Sequence, residues 1–348
     1  MTTGREHTLD KRKVHHKWDK RNAPAIEIES GDTVHCETAE VTNNQVTPGC
    51  AASAIGRIDF AQLYPLAGPI YVKRAEPGDI LEVEILRLEP LQWGWAGIIP
   101  GLGLLAEDFT EPYIRHFDLS NGSTAPLGDG VQIPIQPFCG TMGVATDEDA
   151  ALDVLPPTKG AGNIDTRHLT AGARLHLPVY VKGALFSAGD CHAAQGDGEV
   201  CVTGLECPMK FSLRFNVLKG RTLPPWRYEF VTPPGALQAR SDAKGYFVHS
   251  ALGPDLMTNA KNAVRGVIDW LAREKGLSRE DAYVLCSLAA DLKISQIVDA
   301  PNWGVSAYLA LSVFAGSLRH KKGNHEEHEV TNAHTKKQTL LRDPSRSS

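Results

Sequence analysis

The stretch AEPGDILEVEIL, residues 75–86, constrains the fold of this chain more than any other. Pro77-Gly78-Asp79 reads as a tight turn, and behind it Leu81, Val83 and Ile85 alternate with Glu82 and Glu84. Period-two alternation sends every second side chain to one face, so the segment is a half-buried strand entered from a turn. ESGDTVHCET at 29–38 repeats the device, and TAGARLHLPVYV at 170–181 repeats it again. Turn-then-strand units at long, irregular intervals suit sandwich or barrel layers and do not suit a solenoid. The 32 glycines and 22 prolines agree, since they favour many short elements joined by turns over a helical bundle.

Helical periodicity is convincing only late in the chain. MTNAKNAVRGVIDWLAREKG, from Met257, aligns Ala260, Ala263, Val264, Val267, Ile268 and Leu271 on one stripe, and Gly276 suits the position just past the end. Ser278 and Asp281 form a capping-box pattern ahead of AYVLCSLAADL, and a short β segment, ISQIVD, follows. The expected fold is a β-rich α+β protein, with sandwich-like β layers and a smaller C-terminal α+β portion. Its helical pair falls near 257–292.

The two ends read differently from the body, which spans 24–318. Residues 1–23 are charged and lack apolar periodicity, so they are expected to form a flexible basic arm. The segment 319–348 is expected to be a disordered tail, whose His320, His325, His328 and His334 have no core around them to build a specific metal site. Net charge is −5, with Lys and Arg gathered at the ends, so no nucleic-acid partner is expected. The apolar stretches fall short of the roughly 18 residues a membrane span needs, and no apolar h-region follows the N-terminus. No membrane partner is expected, and the cytoplasm is the expected location. Seven cysteines without a CxxC pair point to buried reduced thiols.

The densest chemistry lies in SAGDCHAAQGDGEVCVTGLEC, residues 187–207, which holds Asp190, His192, Asp197, Glu199 and Glu206. Asp190 and His192 are two apart, so in extended chain both face one side and Cys191 the other. Such a pair can hold a divalent metal such as zinc. Glu199 and Glu206 flank an expected strand, Val200–Thr203, and carboxylates there can serve as general base or as further ligands. The plainer alternative is a polar loop whose Asp and His satisfy turn backbone. A second cluster, KGAGNIDTRHL at 159–169, puts Asn163 and Asp165 two apart, with Arg167 and His168 directly after. It gains interest only if it folds beside the first.

Other segments carry less. Cys139 in PFCGTMGVA has no local His to act as its base, so it reads as a packed small hydrophobe. The Gly-rich loop PGLGLLAED is neither a P-loop nor GxGxxG. Its Glu107 reads either as the polar group of a small apolar pocket or as part of a plain turn. HExxH, GxSxG and the zinc-deaminase pattern are all missing.

In order along the chain, TNNQVTP, YPLAGPIYVKRAEPGDILEVEIL, PFCGTMGVA, GAGNIDTRHL and GDCHAAQGDGEVCVTGLEC resemble the acetamidase/formamidase family. The resemblance runs from about residue 24 to about residue 315. It implies release of ammonia from formamide and acetamide, a β-rich fold with sandwich-like layers, a bound divalent metal (zinc or calcium) and a homo-oligomer. Carried over by motif, GNID gives Asn163 and Asp165, GDCHAAQGDGEV gives Asp190, His192, Gln195 and Glu199, and the segment after it gives Glu206. The implied roles are Asp165, Asp190 and His192 on the metal, Glu199 or Glu206 as base, and Asn163 and Gln195 orienting substrate. Cys139 and Cys191 depart from the family's pattern, which has an aliphatic residue at the first position and Leu or Met at the second. The alternative to an amide hydrolase is a β-sandwich metal- or ligand-binding protein without turnover.

Overall fold

Leu81, Val83 and Ile85 fulfil the alternation: all three are buried, on the long strand β6 (Ile80–Pro90). Fully burying side chains of this size contributes about 1.5–3 kcal/mol each. The computed structural model describes residues 4–128, 130–234, 244–298 and 300–315. With strands numbered in chain order, β6 sits inside a six-stranded sheet. Its spatial order is β1 (Glu6–Thr8), β4 (Thr33–Thr38), β15 (Met209–Leu218), β6, β13 (Arg174–Pro178) and β16 (Glu229–Val231). The three turn-then-strand units of the sequence are β4, β6 and β13, all in this one sheet.

The second sheet runs β12 (Ala161–Asn163), β11 (Phe138–Val144), β14 (Phe186–His192), β5 (Leu66–Val72) and β2 (Val14–His15), and β3 (Ile26–Ile28) also pairs with β5. β11, β14 and β5 are almost wholly buried, and they read as apolar and glycine-rich runs without alternation. The two sheets share one core, in which Phe186 meets Phe215 edge-on at 5.2 Å between centroids. Two hairpins border them: β7 (Trp93–Ile98) with β8 (Tyr113–Asp118), and β9 (Thr124–Gly128) with β10 (Val131–Pro134).

The C-terminal portion is the expected α+β unit. Its sheet runs β17 (Tyr246–Gly253), β19 (Trp303–Ala310), β18 (Ala290–Gln296). Helix α1 (Leu256–Trp270) packs on it, with Trp270 stacked on Phe247. Gly276 ends this helical stretch in the left-handed conformation at φ 68°, which glycine adopts without a Cβ clash. The Ser278 hydroxyl then accepts from Asp281 N and starts α2 (Arg279–Ala289), as the capping pattern predicts. Among the described residues no helix is long and apolar enough to cross a membrane.

Two expectations fail here. Residues 6–18 do not form a free arm: β1 joins the first sheet, β2 joins the second, and Trp18 is buried. Strands of two or three residues at sheet edges are too short to show periodicity, so the sequence pattern misses them. Residues 200–203 form turns and not a strand, with Val202 left-handed at φ 75°. The tail 319–348 and its histidines lie outside the described residues. The cysteines are free, and all but Cys50 are buried.

Candidate active site

β14 ends in Asp190, Cys191 and His192, and their side chains divide as predicted. Cys191 points into the core, 3.6 Å from Cys139 Sγ on the paired strand β11. Burial and its neighbour push the Cys139 thiol well above its ordinary range, so it packs and does not act as a nucleophile. Asp190 and His192 face the opposite way, into a pit closed by Glu206. Backbone bridges join Glu206 to both His192 and Trp95.

His192 organises this pit. Gln195 Nε2 donates to Asp165 O at 2.9 Å, which leaves Gln195 Oε1 as an acceptor, 2.8 Å from His192 Nδ1. Nδ1 therefore carries the proton, and Nε2 is the nitrogen turned to the carboxylates. Asp190 Oδ1 lies 3.3 Å from Nε2, Glu206 Oε1 3.2 Å and Glu199 Oε1 3.9 Å. Asp165 Oδ1 approaches the other ring nitrogen, at 3.9 Å. Two overlapping groups result: Asp190, His192 and Glu206, all buried, and Asp165, His192 and Glu199, whose two carboxylates retain 22% and 18% of their side-chain exposure. The metal trio expected from the sequence, Asp165, Asp190 and His192, is split between these groups.

Four carboxylates surround one imidazole, and none is paired with Lys or Arg among the described residues. Burial, reinforced by the charges of its neighbours, pushes Asp165 up to about 7 and Glu199 well above the usual range. Burial likewise raises Glu206 to about 7, although His192 beside it pulls down. Burial alone would lower His192, but Glu206 and Asp190 outweigh it and hold the imidazole well above its ordinary value. Asp165 Oδ1 and Glu206 Oε2 are buried and find no hydrogen-bond partner among the described residues. A Cβ on Gly140 would lie 2.4 Å from Asp165 Oδ1 and 2.9 Å from Asp190 Oδ2, so this cradle exists only because residue 140 is glycine. Orphaned oxygens, crowded negative charge and a nitrogen of fixed tautomer fit a divalent cation.

The two carboxamides expected to orient substrate are engaged within the protein. Gln195 holds His192, as described. Asn163 Nδ2 donates to Leu155 O at 2.8 Å and approaches the Tyr64 hydroxyl at 3.4 Å, and its Oδ1 faces the Thr141 hydroxyl, which also reaches Asp190 Oδ2. Tyr64 escapes the sequence reading. Burial, then the fields of Asp190, Asp165, Glu199 and Glu206, hold its phenol well above its ordinary pKa, so it stays protonated beside the site. Tyr64, Asp165, Asp190 and Glu199 share a second trait: all four are left-handed, with φ of 54°, 38°, 52° and 42°. Non-glycine residues adopt this region rarely, and its concentration at one site marks a strained, over-determined constellation. The GNID segment does fold beside the first cluster, which its spacing alone left open. Glu107 does not belong here; it pairs at the surface with Lys261 and Arg265 of α1.

Two β layers carry a buried pit of carboxylates around one imidazole, an arrangement chemically suited to hydrolysis. The chain belongs to the acetamidase/formamidase family, whose model matches residues 2–154 and 147–316. It is 24% identical to a formamidase of Methylophilus methylotrophus, over 88% of this chain and 90% of that one. It is 26% identical to an acetamidase of Mycolicibacterium smegmatis, over 59% and 66%. Among solved structures, an acetamidase of Bacillus halodurans is 34% identical with a TM-score of 0.61, covering 87% of this chain and 97% of that one. A γ-lactamase of Delftia acidovorans, 23% identical, has a TM-score of 0.83 over 91% and 95%, which shows the shared fold.

Proposed function

We propose that the chain hydrolyses short aliphatic amides, formamide and acetamide, to the carboxylic acid and ammonia at a site that holds a divalent cation. The observation that carries this reading is the arrangement around His192: Gln195 fixes the proton on Nδ1, and Nε2 meets Asp190 and Glu206. Those three residues would hold the cation, and the more exposed Asp165 and Glu199 flank them. A nitrogen among the donors favours zinc over calcium, which takes oxygen ligands only. When bound, the cation would polarise the amide carbonyl and acidify water.

The remaining work falls to this chain's own carboxylates. Glu206 is sealed in, and its Oε1 also accepts from Gly204 N at 3.0 Å. Glu199 keeps some exposure, and burial with the neighbouring carboxylate charges raises its pKa, which makes it a stronger proton acceptor than a free carboxylate. Glu199 therefore takes the proton of the attacking water and delivers it to the leaving nitrogen. That delivery is required because an unprotonated amide nitrogen is a very poor leaving group. Asp165, similarly exposed, keeps the local field negative. The Tyr64 hydroxyl, held protonated, would serve as a donor to substrate oxygen.

The test is ammonia release from formamide and acetamide by purified protein, with zinc content measured before and after chelator. Release that falls with zinc content and returns on zinc addition is the expected result. Folded, zinc-bearing protein that releases ammonia from neither amide would overturn the amidase reading and leave a binding protein without turnover.

A further inference from the structure

The two halves of the site are carried by different kinds of structure. Asp190 and His192 belong to β14, in the middle of the second sheet, and Glu206 is bridged to His192 and to Trp95 of β7. Asp165 and Glu199 lie in loops, outside any strand. Gln195 links those two loops through Asp165 O, and Arg167 adds a second, charged link that also reaches the C-terminal unit. Arg167, two residues after Asp165, donates from Nε to Asp197 Oδ1 at 3.0 Å, and Asp197 is two residues before Glu199. Its Nη2 donates to Asp291 Oδ2 at 3.0 Å, on β18 of the C-terminal unit.

The same unit grips the 195–199 loop at its backbone. Asp197 N donates to Asp291 Oδ1 at 3.1 Å, Leu292 N to Asp197 O at 3.0 Å, and Gly196 N to Ser287 O of α2 at 2.7 Å. A Cβ on Gly196 would come within 2.0 Å of Ala290 O, so the two backbones are in direct contact.

We propose that Arg167 is a positioning residue: with Asp291 it fastens the Asp165–Glu199 half of the site to the C-terminal α+β unit and holds it in register with the cation-holding half. The C-terminal unit then contributes to catalysis without touching substrate. This rests on the amidase reading, and it adds a division of labour that the reading does not require. Only a planar guanidinium can serve both aspartates at once from this position; an ammonium keeps the charge and loses the fork.

The experiment compares full-length Arg167→Gln, Arg167→Lys and Asp291→Asn with the parent chain. It reads zinc bound per chain, kcat and KM for formamide and acetamide, and amide hydrogen exchange at residues 196–199. Arg167→Gln should keep the parent's zinc content and lower kcat by about 10- to 100-fold, the scale of a misplaced catalytic group. KM should stay within about three-fold, since ground-state binding is untouched. Exchange at 196–199 should quicken, and Arg167→Lys should recover part of kcat. Asp291→Asn can keep the acceptor for Asp197 N while it loses the charge and the acceptor that meet Arg167 Nη2, so it reports even if Arg167→Gln folds poorly; it should lower kcat in the same direction. Zinc loss in step with kcat, or kcat within two-fold of the parent in every variant, would overturn the proposal. If the parent itself releases no ammonia, the amidase reading falls, while unchanged exchange at 196–199 would separately remove the clamp.

Discussion

Among the carboxylates this chain buries, Glu40 and the cluster at His192 are treated in opposite ways. Glu40 is wholly enclosed, yet it receives Thr42 N, the Thr42 hydroxyl, Asn44 N and the Trp95 indole N–H at 2.5–2.9 Å. Its burial is compensated donor by donor, and it fixes the chain before the 3-10 turn at Ala52–Arg57. At the site near His192, oxygens of Asp165 and Glu206 are buried with no such donors among the described residues. A buried carboxylate is therefore not a mark of function by itself. The mark is burial left uncompensated, because an unpartnered charge persists only where something else is meant to occupy the gap.

Three substitutions sharpen that contrast. The largest effect belongs to His192→Ala, which removes the one imidazole shared by both groups. Zinc content and ammonia release should both be lost, because the site then lacks its only nitrogen donor. Retained activity without zinc would merge the two kinds of buried carboxylate into one. Glu40→Gln should act on stability alone. It turns an amide N–H₂ toward existing donors and costs about 1–3 kcal/mol, seen as a lower denaturation midpoint with zinc content and kcat unchanged.

Asp281 supplies the smallest and most pH-bound effect. Burial pushes its carboxyl up, but the Arg115 fork and the Tyr113 hydroxyl outweigh burial and hold it below the usual range. A carboxylate lowered in the folded state stabilises above its unfolded pKa and loses that contribution as pH falls through the folded value. The stability gap between parent and Asp281→Asn should stay level from pH 8 to about pH 5 and close below about pH 4. A gap that widens in acid would contradict the pairing.

The legible part of this molecule is its local part. The alternation at 81–85, the stripe at 260–271 and the cap at Ser278 each depend on neighbours within a few residues, and each is realised. Asp190 and His192 also meet, 3.3 Å apart, although the left-handed backbone at Asp190 departs from the simple pleat that the spacing implied. Arg167 could be flagged only as a residue of interest, since its partner Asp291 is 124 positions away and meets it through packing. PFCGTMGVA drew attention to Cys139, whereas the residue that matters is Gly140, whose missing Cβ leaves room between two carboxylates. Nothing in a one-dimensional pattern separates a glycine for a turn from a glycine for a cradle. The 200–203 error has a similar origin: left-handed Glu199 and Val202 fold an apolar run into turns that periodicity reads as a strand.

The left-handed backbone at Tyr64, Asp165, Asp190 and Glu199 bears on how this chain would respond to selection in the laboratory. Each such residue costs of the order of 1–3 kcal/mol relative to one at ease in that region. Glycine at any of the four would relax the backbone and remove a side chain the chemistry uses. A library screened for heat tolerance alone would thus enrich replacements at the positions that make the protein an enzyme, and the hardiest survivors would be the least active. Heat tolerance and turnover have to be selected together.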